Sequence, residues 1–176
     1  MLSLQLEIAQ RLVANTPIET VFIGASIVKK DGKAMPTYPT GSGFEYIGLD
    51  DTKSLFAYIR NIGEWRFEMV KPKGCGYLYN IAIPLRLVVI GLNKGLEFDN
   101  LILKVFDLLN SKTLIQRAIV EPDQLFAIEQ AGVDADKVFF TQYDNYFAID
   151  FQMFATVSST ACVELNCNLE NYKICK

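Results

Sequence analysis

The segment from Tyr146 to Val157, YFAIDFQMFATV, constrains the fold more than any other. Phe147, Ile149, Phe151, Met153, Ala155 and Val157 recur at every second position. Asp150, Gln152, Thr156 and Ser158 fall on the other side, with Ala148 and Phe154 among them. Side chains alternate across a strand, so this period buries one face and leaves the other wetter. A sheet with one wet face is antiparallel, because parallel strands are covered on both sides. The chain is thus expected to build a mainly antiparallel sheet with a layer on one face.

The other elements fit that plan. Leu2, Leu6, Ala9 and Val13, with Leu12, form an apolar stripe at helical spacing, stopped at Asn15 to Pro17. Thr20–Val28 is rich in β-branched and aromatic residues and reads as a strand. A polar turn at Lys29–Lys33 and a Pro- and Gly-rich stretch, Met35–Gly43, read together as a long loop. Phe44–Leu49 reads as a strand. Asp50 and Asp51 look like caps for a short helix over Lys53–Ile59. Glu64–Lys71 alternates, with Trp65, Phe67 and Met69 on one face. Tyr77–Leu92 reads as a long strand, and Pro84 within it predicts a bulge or an edge. Glu97–Leu109 is a helix whose stripe is Phe98, Leu101, Ile102, Val105, Leu108 and Leu109. Leu114–Val120 is a strand, and Pro122 opens a short helix that Gly132 ends. The expected fold class is α+β: one mainly antiparallel sheet, two or three helices packed on a face, and a long loop insertion. Residues 1–158 form one domain and residues 159–176 a cysteine-bearing tail.

Composition narrows the chemistry. The chain has 176 residues, enough for one domain, and a net charge of −3. An acidic chain is a poor free-standing binder of nucleic acid or anionic membrane. It contains no histidine, which removes the commonest general base and most metal sites. Cys162, Cys167 and Cys175 lack the tight ligand pairs of a zinc site, and reduced thiols are the expectation. Gly41-Ser42-Gly43 and Gly74-Cys75-Gly76 lack the strand, third glycine and helix of a nucleotide loop. Cys75 is the best candidate nucleophile, yet only Lys71 and Lys73 stand near it in sequence to activate it. Asp134, Asp136 and Asp144 lack the glycine and distal glutamate of a calcium loop. No catalytic residue, cofactor or metal is expected. The start of the chain does not read as a signal peptide, since Glu7 and Arg11 interrupt it. The apolar run Ile81–Leu92 is too short to span a bilayer, so no membrane association is expected.

Aromatic residues are in surplus. The chain has 12 Phe and 8 Tyr, and neighbours such as Phe139 and Phe140 cannot share one core if extended. Phe139, Phe140, Tyr143 and Tyr146, together with Trp65, Phe67 and Tyr38, are therefore candidate interface residues.

The strand RLVVIGL running into the helix LEFDNLILKVFDLLN, with the closing strand YFAIDFQMFATV, resembles the neck proteins of tailed bacteriophages. These are the tail-terminator and head–tail connector ring proteins. The resemblance implies a non-enzymatic virion protein, made in the host cytoplasm, that forms a homo-oligomeric ring of six or twelve subunits. It also implies contact with portal, connector or tail ring neighbours, and passage of DNA without specific binding. The stretch Asp50–Gly63 and the tail after Ser158 depart from that pattern. Two alternatives remain from the residues themselves. One is a small ligand-binding or adaptor domain that takes a partner strand at the edge near Pro84. The other is a small cysteine-dependent enzyme.

Overall fold

The computed structural model describes residues 2–30, 33–47, 55–73, 76–91, 98–110, 113–120, 145–158, 163–164 and 173–174. Helix α1 spans Leu2–Asn15 and α2 spans Phe98–Asn110. The strands are β1 (Thr20–Lys30), β2 (Lys33–Thr40), β3 (Gly43–Tyr46), β4 (Leu55–Asn61), β5 (Arg66–Lys73), β6 (Gly76–Gly91), β7 (Thr113–Ile119) and β8 (Asn145–Ser158). Two short strands, β9 (Val163–Glu164) and β10 (Lys173–Ile174), pair with each other. The main sheet has eight strands in the order β3-β2-β1-β4-β6-β8-β7, with β5 paired to β6 beside that path. Every pairing in it is antiparallel except β1 with β4. The fold is α+β, with one mostly antiparallel sheet and two helices among the described residues.

The central pair is β6 and β8, matched without a break from Leu78–Ser158 to Gly91–Asn145. Odd positions of both strands face the helices. Ile81, Ile83, Leu85, Leu87 and Val89 of β6 and Phe147, Ile149, Phe151 and Met153 of β8 form one core with Leu12, Leu101, Val105 and Leu109. Helix α2 buries Leu101, Val105 and Leu109 of its expected stripe, with Ile102 and Leu108 packed beside them, while the Phe98 side chain lies outside the described residues. Helix α1 is rotated from its expectation. Leu6 and Val13 are exposed, while Gln5, Ala9 and Leu12 are buried. The reason is Gln5, whose Oε1 accepts a hydrogen bond from the Gly24 N–H at 2.9 Å. Gly24 has φ of 67°, a left-handed conformation that favours glycine, and sits where the β1–β4 register shifts. Ala25 still pairs with Arg60 of β4, and from Ser26 onward β1 pairs with β2.

The second face holds its own core. Ala25, Ile47, Phe56, Tyr58, Val88, Ile90, Ile119 and Ala148 cluster there, with Phe22 and Tyr38 packed against them. The expected wet face of β8 is therefore wet only along its second half. Ala148 and Asp150 are buried, while Phe154 and Thr156 are exposed.

Two expectations are corrected. The stretch expected as a long loop is strand β2, paired to β1 on one side and β3 on the other. Its prolines lack a donor, but the Pro36 carbonyl still accepts from the Ile47 N–H at 2.8 Å, and proline's φ suits an extended chain. The helix expected over Lys53–Ile59 is strand β4. Leu55–Ile59 are all buried, because both faces of β4 contact a core, and such a strand shows no alternation. Asp50 and Asp51 lie outside the described residues, as does the helix expected after Pro122.

Pro84 lies within β6, opposite Gln152 of β8. On the other side β4 ends opposite Leu85 and β5 begins opposite Ala82. Pro84 thus occupies the gap between two consecutive partners, and its carbonyl accepts from the Ile62 N–H at 3.1 Å. Gly63 passes against its ring, where an added Cβ would stand 3.2 Å from Pro84 Cγ. Among the described residues, Ile62 and Gly63 thus occupy the edge of β6 at Pro84 itself.

Candidate interaction surfaces

Strand β5 pairs with β6 beside the main path of the sheet. Its partners in β6 are Ala82, Ile81, Asn80 and Tyr79, opposite Arg66, Phe67, Glu68 and Met69. On the helix side this row runs on to Ala155 and Val157 of β8. Ile81, Ile83 and Met153 belong to the core that the helices cover, and Tyr79 is only partly buried against it. Phe67 is 60% exposed, Met69 58% and Val157 45%, with Trp65 beside them. The rings of Trp65 and Phe67 are 6.3 Å apart and tilted. Alternation in this segment signals a strand but not a buried face, since residues 64–69 are all exposed. A contiguous apolar row on a sheet is a common mark of a contact surface.

The opposite face carries the buried charges. Arg86 and Asp150 face each other across β6 and β8. Arg86 Nε donates to Asp150 Oδ1 at 2.6 Å and its Nη2 to Oδ2 at 2.9 Å, a bidentate pair with both residues buried. Arg117 Nε donates to Oδ2 at 2.5 Å from the neighbouring strand. The β7 register shifts between Ile115 and Arg117, and this bulge brings Arg117 opposite Asp150. Burial pushes the Asp150 carboxyl up, but the hydrogen bonds and charges of Arg86 and Arg117 outweigh it and hold the carboxyl below its ordinary value. Asp150 and Arg117 form part of the wall of an open cleft of about 550 Å³, whose other walls include Arg66, Glu64 and Gln152. A smaller apolar recess of about 210 Å³ lies between α1, α2 and β8, lined by Ile8, Leu108, Leu109 and Met153.

The candidate interface residues separate in the structure. Trp65 and Phe67 stand together on the exposed row. Tyr38 is half-buried, packs on Phe22 with ring centroids 4.7 Å apart, and donates its hydroxyl to Glu45 at 2.7 Å. That hydrogen bond, then burial and the carboxylate's charge, raise its pKa. Tyr146 lies on β8 opposite Ile90, but its side chain is outside the described residues. Phe139, Phe140 and Tyr143 also lie outside them, as do Cys75, Cys162, Cys167 and Cys175. The Arg86–Asp150–Arg117 cluster was not anticipated. Its signal is present in the sequence, since Arg86 is the lone charge in Ile81–Val89 and Asp150 the lone charge in Tyr146–Val157. Two lone charges in two apolar strands suggest each other as partners.

Among the described residues, no group of three or more His, Cys, Asp or Glu side chains is placed to hold a metal ion. No described helix is long and apolar enough to cross a membrane. No protein-family model matches the chain, and no curated protein matches it.

Proposed function

We propose that this chain is a virion structural protein that forms a homo-oligomeric ring at the head–tail interface of a tailed bacteriophage, as a connector or tail terminator. The observation that carries the reading is the exposed apolar row Trp65, Phe67, Met69 and Val157 on the sheet. A ring needs a heterologous contact, in which this row meets a different patch on the next subunit and the rotation closes. The segment containing Phe139, Phe140 and Tyr143 supplies aromatic residues suited to that second patch. The net charge of −3 suits a channel that DNA must traverse without sticking. Imaging of assembled virions tests the proposal. The expected result is a closed ring of six or twelve copies between portal and tail, and particles whose neck lacks this chain overturn it.

A further inference from the structure

We infer that β5 is a self-pairing edge, through which two copies of this chain join antiparallel about a two-fold axis at Phe67. Among the described residues β5 pairs with β6 alone, so no described strand takes up the N–H and C=O groups on its outer edge. The sequence across that edge is Trp65-Arg66-Phe67-Glu68-Met69. With the axis at Phe67, Phe67 meets Phe67 of the second copy and Trp65 meets Met69. Arg66 meets Glu68, and Glu68 meets Arg66. A two-fold axis perpendicular to the sheet preserves its faces, so the apolar pairs extend the helix-side face and both ion pairs fall on the other.

The charges single out this register. Arg66 and Glu68 are both exposed, and neither has an ion-pair partner among the described residues. Sliding the pairing by two residues sets Arg66 against Arg66 or Glu68 against Glu68, and like charges directly opposite are destabilising. Sliding by one residue turns the apolar side chains of one copy to the charged face of the other. The register shift between Met69 and Lys71, with Pro72 after it, ends the matched stretch. The occupant of the edge is thus a second copy, recognised by charge and apolar complementarity together. This contact is isologous and closes as a dimer. It does not depend on the heterologous contact of a ring, so a neck without this chain leaves it standing.

Sedimentation equilibrium of the purified chain under reducing conditions tests the inference. The expected mass rises with concentration to twice 19.8 kDa. The two-fold axis repeats every substitution, so Arg66→Glu or Glu68→Arg alone should weaken association about tenfold or more. The double reversal, Arg66→Glu with Glu68→Arg, should restore it to within a few-fold of the original. Far-UV circular dichroism verifies that the variants stay folded. A monomer at every concentration overturns the inference, and so does a double reversal that associates no better than either single one.

Discussion

Asp150 is the buried carboxylate that binds Arg86 and Arg117. One carboxylate answers two guanidinium groups, and Arg86 has no route to solvent at 2% exposure. Asp150→Asn keeps the shape but removes the buried charge to which both Nε and Nη2 of Arg86 donate, and should cost about 3 kcal/mol or more by urea unfolding. Replacing the pair together, with Arg86→Met and Asp150→Leu, should recover most of that loss, because an apolar pair of similar volume carries no desolvation penalty. A double variant as weak as Asp150→Asn would show that the ion pair itself stabilises the fold. The pH dependence follows from the lowered carboxyl. The folded state binds fewer protons than the unfolded one between the two pKa values, so the contribution of Asp150 is complete above pH about 3.9. It drains away as pH falls from there through the lower folded value. The stability gap between the native chain and Asp150→Asn should therefore be constant near neutrality and shrink below pH about 4. A gap that grows on acidification contradicts the assignment.

At the scale of elements, the sequence was legible wherever one face is buried and the other is not. Helix α2 follows from periodicity, β7 reads as a strand at Leu114–Val120, and β8 alternates where its second face is wet. Strand β6 was legible from its length and β-branched content. Strand β4 was hidden because cores on both faces erase the alternation, and Leu, Phe and Ala suit a helix as readily. Strand β2 was hidden by Pro36 and Pro39, whose missing donors argue against a strand until the partner strands are known. The rotation of α1 required knowing that Gly24 needs the Gln5 carbonyl. The exposed row was half legible, since the alternation of Trp65, Phe67 and Met69 was plain but their exposure depends on tertiary packing. Deleting residues 33–40 should now unfold the chain, because Pro36 and Thr37 are buried and β3 would lose its partner. Loss of the cooperative urea transition is the readout, and a folded deletion variant would return the segment to loop status. A finer test is Gly24→Ala, which forces a Cβ into the left-handed region and should cost about 1–2 kcal/mol.

At the scale of the whole molecule, what holds the chain together and what it offers outward are separate. Both core clusters lie where β4, β6 and β8 run side by side, while the row on β5 is exposed. Substitutions in the two regions should thus act on different quantities. Phe151 is fully buried beneath the helices, and Phe151→Ala should cost about 3–5 kcal/mol of stability. Phe67 is 60% exposed, and Phe67→Asp should leave stability within about 0.5 kcal/mol. The same Phe67→Asp places a carboxylate in the middle of any contact made by the row, and a central aromatic anchor is worth several kcal/mol there. Association should then fail while the unfolding curve stays in place. Urea unfolding and sedimentation on the same two variants decide the matter. If Phe67→Asp unfolds the chain as Phe151→Ala does, the row belongs to the core and not to a partner. If it leaves both stability and association unchanged, the row is solvent-facing surface.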